Sequence, residues 1–166
     1  MARLTERVVD LFMDIFTDED FNDRVEDMNT HYNEDLDLLK PILVVLDDPP
    51  TVVTPRNFPA IHVWGTGMNN GVEQPLSQFG ANHTIRIAVA VQGQERIQRQ
   101  LYRYTDLILQ VIDEVTKGSD ETFALGGDID VEYGEPPYEA TGASVVQAIV
   151  TVQMEHAEAL LLEVAP

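Results

Sequence analysis

Residues 84–92 alternate without interruption. Ile85, Ile87, Val89 and Val91 fall on one side and Thr84, Arg86, Ala88 and Ala90 on the other, the period of two that lets a β-strand bury one face. The period then changes. From Gln94 to about Thr116, Ile97, Leu101, Tyr104, Ile108, Val111, Ile112 and Val115 gather within an arc of about 100° on a helical wheel, and Gly118 stands where a C-terminal cap glycine belongs. A strand feeding a helix with one apolar stripe demands a layered fold in which helix covers sheet.

The rest of the chain supplies similar parts. Leu4, Val8, Leu11, Phe12 and Ile15 recur at helical spacing opposite Glu6, Asp10 and Asp14, predicting a helix over 2–16. Thr17 with Asp20 reads as an N-cap signal, and Phe21, Val25 and Met28 continue the apolar stripe, as a second helix or a kinked continuation of the first, to about Met28. Five prolines between Pro41 and Pro59 forbid helix and impose extended geometry, with a short strand at 42–46. Ile61, Val63 and Trp64 form a short strand ending at Gly65, and 66–82 reads as a long polar loop suited to a partner, through Met68, Asn69, Asn70, Glu73 and Gln74. Strands are expected at 129–133 and 144–156. The latter, with Val146, Ala148, Val150, Val152 and Met154 on one face, outruns the usual five or six residues and offers an edge to a neighbouring subunit. The expected architecture is one α+β domain over 1–166: an antiparallel or mixed sheet of about four strands with two main helices on one face.

Charge narrows the function. Segment sums are −10 for 1–48, +1 for 49–94, 0 for 95–117 and −10 for 118–166, which add to −19. Phosphate binding needs clustered Lys and Arg, so 29 acids against 10 bases argue against gripping nucleic acid. Fifteen Asp against two Lys suits concentrated salt, where the Debye length falls to about 3 Å at 1 M, and a binding module of a salt-adapted cell is one reading. Cysteine is absent, which removes thiol chemistry and disulfides. No run reaches the roughly 18 apolar residues of a membrane span and no export signal opens the chain, so a soluble, unexported protein is expected.

Little reads as catalytic. His31, His62, His83 and His156 stand apart from one another, no serine lies in a Gly-x-Ser-x-Gly elbow, and Gly65, Gly67 and Gly71 lack the following Lys-Ser or Lys-Thr of a phosphate loop. Asp128, Asp130 and Glu132 alternate on a strand with Glu139 at the twelfth place of a calcium loop. Tyr133 occupies the glycine position and Pro136–Pro137 stiffens the arc, so a solvated acidic face is the plainer reading. No catalytic, metal or cofactor residue is expected, although a small acidic metal-dependent hydrolase is the alternative of another class. Arg96, Arg99 and Arg103 fall within about 60° on a helical wheel. The plain reading of this ridge is a solvated face. The sharper one sets it against the acidic carboxy-terminal third of the next copy, through Asp128, Asp130 and Glu132, alongside Val146, Val150 and Val152 of the long strand, in a contact able to close a ring.

Taken together, the amino-terminal helix, FPAIHVWG at 58–65, HTIRIAVAVQG at 83–93, the long helix, DIDVEYGEP at 128–136 and the closing SVVQAIVTVQMEHA resemble the tail terminator proteins of tailed viruses. The likeness spans nearly the whole chain and lies in layout and segment character. It implies a virion protein of the neck: an α/β subunit forming a homo-oligomeric ring, typically a hexamer, on the tail tube. Such a ring ends tube polymerisation and meets the head connector, while DNA passes an acidic lumen without specific binding and no membrane is involved. Another head–tail joining or head-completion protein would share these properties.

Overall fold

In a computed structural model the described residues are 2–32, 39–70, 78–93, 96–117, 123–125, 127–138 and 144–159. Three helices cover one face of a mixed sheet of six strands: α1 Ala2–Thr17, α2 Glu19–Tyr32, β1 Val44–Leu46, β2 Ala60–Asn70, β3 Gln78–Gly93, α3 Ile97–Lys117, β4 Phe123–Leu125, β5 Asp130–Gly134 and β6 Ser144–Ala159. The sheet runs β1-β2-β3-β6-β4, and β5 pairs with β6 alongside β4. Among the described residues only the β1–β2 pair is parallel. The α+β expectation holds: the sheet has six strands in place of about four, β4 being the one not foreseen, and of the two alternatives after Thr17 the second helix, α2, is the one formed.

Register explains the core. Val63 faces Ile87 and Ile87 faces Val150, while Ile85 faces Val152, so the apolar positions of three strands form continuous rows. These pack against Val8, Phe12 and Phe16 of α1 and Leu101, Tyr104, Ile108 and Ile112 of α3 in one cluster. Phe16 meets Phe21 edge-on across the break between the first two helices. Asp18, not Thr17, starts α2: its Oδ1 accepts from the Asp20 amide and its carbonyl from Phe21, whereas the Thr17 hydroxyl turns back to the Met13 carbonyl at 2.8 Å. The chain leaving α2 is held by side-chain amides. Asn29 both donates to the Leu39 carbonyl and accepts from its amide, Asn22 accepts from Ile42, and the Tyr104 hydroxyl donates to the Lys40 carbonyl.

Among the described residues the other sheet face is covered at one end. Residues 47–59 lie over it with Pro50, Pro55 and Pro59 buried, and the Asp48 carbonyl meets His62 Nδ1 at 2.8 Å. Beneath this cover Ala60, His62, Ala88, Ala90 and Gln147 are buried. Phe58 lies against Tyr138 of the 135–138 turn, whose hydroxyl burial pushes up to about 12. The Pro-rich stretch is therefore a thin second layer, not a free surface segment.

Candidate assembly surfaces

The region read as a loop is mostly sheet. Thr66–Asn70 and Gln78–Asn82 continue β2 and β3, with Met68 opposite His83, Asn69 opposite Asn82 and Asn70 opposite Ala81. Only 71–77 separate the two strands, and Glu73 and Gln74 lie there, outside the described residues. Gly and Asn have weak strand propensity and hid this pairing. What holds it is β6, which pairs with β3 from Ser144–Gly93 to Ala159–Gln78. The result is a three-stranded arm seated on the start of α1. The Thr5 hydroxyl meets His83 Nδ1 at 3.0 Å and Met68 Sδ at 3.9 Å, and a Cβ on Gly65 would stand 2.5 Å from Thr5 Cγ2.

One edge of that arm is open. β1 pairs only with Ala60, Ile61 and His62, so among the described residues no strand flanks Val63–Asn70 on the side away from β3. This edge runs for about 24 Å at 3.4 Å per residue. Residues 57–72 contain no Asp, Glu, Lys or Arg, and none from 60 to 74 is proline. Charge, proline and bulges are the usual means of keeping such an edge from pairing. Here only a bulge is present, where the register shifts between Gly65 and Gly67.

The other proposed interface residues divide. Val150 and Val152 are fully buried and Val146 packs against the same core. Val150 and Val152 serve the protomer's own interior, because α1 and α3 cover the face that alternation alone left unassigned, while Val146 is half-buried at its margin. Arg103 is also withdrawn from any exposed ridge. It is 8% exposed, and its guanidinium lies 3.9 Å from the centroid of the Tyr32 ring, a contact a single-helix wheel cannot reveal. Arg99 is exposed on the first turn of α3, and Arg96 is exposed just before it with φ 52°. That left-handed backbone puts Arg96 off the helical wheel on which the ridge was drawn. Asp128, Asp130 and Glu132 are exposed, with Asp130 and Glu132 beside Thr151 and Ile149. Among the described residues no three His, Asp or Glu side chains converge as a metal site, and Glu139 lies outside them. No described helix is long and apolar enough to cross a membrane.

Between α2 and α3 lies a depression of about 900 Å³ that no pattern in the sequence announces. At its margin Arg24 donates to Glu114 through both terminal nitrogens, one contact at 2.7 Å. This partner raises the Arg24 pKa and holds the Glu114 carboxyl below its usual range. The pair joins residues 90 positions apart, and only the three-dimensional arrangement brings them together. Compared with protein-family models and with curated proteins, the chain matches none.

Proposed function

We propose that this chain is a ring-forming structural subunit of a viral neck, a tail terminator that caps the tail tube and joins it to the head connector. The single observation that carries the reading is the open, uncharged β2 edge on an arm built from three strands. In an isolated molecule such an edge invites uncontrolled pairing. In a ring it gives each copy a fixed place to receive a strand of the next, and a heterologous contact of this kind closes when its rotation permits. With 29 acidic residues against 10 basic, the rest of the surface repels its copies and restricts contact to the neutral β2 edge.

The test is mass measurement across a concentration and salt series, on the wild type and on Gly67→Glu. A Cβ at Gly67 meets nothing within 4 Å, so the variant keeps its fold while setting a carboxylate on the edge strand. The expected result is a discrete six-copy species for the wild type and single molecules for the variant. Wild-type protein that stays monomeric under every condition rejects the ring, and virion micrographs with no density for the chain at the neck reject the location.

A further inference from the structure

Asp20, Asp23 and Asp27 follow one another at three and four residues along α2, which confines them to about 60° of the helix circumference. They form one wall of the depression between α2 and α3, with Asp106 among the residues of the α3 wall. Like charges at this spacing oppose one another and weaken the helix that bears them. Among the described residues Arg24 is the one Lys or Arg of the lining; it is bonded to Glu114 and its charge also acts on Asp20, which leaves Asp23, Asp27 and Asp106 to attract a cationic partner. Between the acidic walls Met28, Tyr32, Leu107 and Leu109 supply apolar surface beside the polar His31 and Gln110. Met28 and Leu109 are half-buried, and Tyr32 is 42% exposed. The Tyr32 ring is fixed by the Arg103 guanidinium at 3.9 Å and by His31, edge-on at 5.1 Å, so this wall is formed before any partner arrives.

We propose that this groove receives a cationic amphipathic helix from a different protein. Charge complementarity selects the occupant. From Asp20 to Tyr32 the α2 wall extends about 18 Å, roughly three turns of a docked helix. Such a helix sets apolar side chains on Met28 and Leu109, as in groove recognition by i, i+3, i+7 anchors, and directs its lysines or arginines to the carboxylates of both walls. A second copy is a poor occupant, since the chain carries −19 overall. The groove shares no lining residue with the β2 edge, so its occupancy is independent of whether copies pair there.

The test uses the full chain and a labelled peptide of about fourteen residues, leucine on one helical face and lysine on the other, followed by fluorescence anisotropy at low salt. Asp23→Asn, Asp27→Asn and Asp106→Asn together should weaken binding about tenfold, the summed effect of three exposed charge contacts. Glu6→Gln, Asp10→Asn and Asp14→Asn together remove three equally exposed charges from α1 and should leave binding within about twofold. Leu109→Gln should weaken it without altering charge. Equal losses in both triple variants, or equal binding of a scrambled peptide of the same composition, would mean diffuse attraction to an acidic surface and overturn the proposal. A change in the chain's own assembly mass in the groove triple, with peptide binding intact, would assign the groove to a second copy and overturn it as well. Thermal melting confirms folding of each variant, and if the groove triple does not fold, Asp106→Asn alone, with a loss of about twofold, takes its place.

Discussion

Arg103 and Arg99 sit one turn apart on α3, yet reversing their charge should give very different proteins. Arg103 is 8% exposed with its guanidinium against the face of Tyr32, whereas Arg99 is exposed. Arg103→Glu removes a partly desolvated cation–π contact worth about 1 kcal/mol and roughly one buried methylene of stem, about 0.8 kcal/mol. It also leaves a carboxylate poorly solvated against the negative face of the ring, at about 1–3 kcal/mol. The total is about 4 kcal/mol, a large part of the roughly 5–15 kcal/mol that keeps a domain folded. Arg99→Glu, which loses at most an exposed charge contact, should cost about 0–1 kcal/mol. Both variants change the net charge equally, from −19 to −19 − 2 = −21, so global repulsion cancels in the comparison. Urea denaturation followed by Trp64 fluorescence reads the difference: with a slope near 2 kcal/mol/M, the Arg103→Glu midpoint should fall by about 2 M. Arg103→Met, which keeps an apolar stem but removes the guanidinium with its charge and donors, should lie between the two. Equal midpoints for Arg103→Glu and Arg99→Glu would refute the burial of Arg103 and restore a solvated arginine ridge.

Gly65→Val should destabilise by about 1–3 kcal/mol, because its Cβ would stand 2.5 Å from Thr5 Cγ2; Gly65→Val with Thr5→Ser should recover most of that loss, and a melt showing no recovery places the clash elsewhere. Burial lowers the His62 pKa from its ordinary 6.5, against a smaller opposing effect of the Asp48 carbonyl. The unfolded chain therefore takes up the proton more readily, so this contribution is intact above about pH 6.5 and is lost as pH falls below it. Denaturation midpoints at pH 8 and pH 5.5 should differ less in His62→Gln than in the wild type, and an unchanged difference would exclude His62 as the source. Ile108→Ala, in the fully buried stripe of α3, should cost about 2–5 kcal/mol by calorimetry; a loss below about 1 kcal/mol would mean that α3 does not seal the core.

Periodicity made the central elements legible. Ile85 to Val91 and Ile97 to Val115 each declare a buried face by their own spacing, and both lie where that spacing requires. Pattern cannot say what covers a face. Val150 and Val152 alternate as any half-buried strand does, and only the placement of α1 and α3 shows that the cover belongs to the same chain. The wheel that grouped Arg103 with Arg99 contains nothing of Tyr32, 71 residues earlier, which decides its environment. Thr66–Asn70 and Gln78–Asn82 were unreadable for another reason: Gly, Asn and Gln carry little strand signal, and the pairing is dictated by register with β6. β4 is three residues long, Phe123–Leu125, too short for any period to show. The acidic wall of α2 was plain as composition, but its partner wall on α3 and the Arg24–Glu114 tie needed the packed helices.

β6 holds β3 on one side and both β4 and β5 on the other. During synthesis, then, β3 waits with one flank bare until residues 144–159 have left the ribosome, and at 5–20 residues per second that interval after β3 emerges lasts on the order of several seconds. A nascent or prematurely ended chain lacks the strand that aligns everything else. In the proposed ring a copy without β6 has no aligned arm to offer, so the fold itself would screen incomplete copies out.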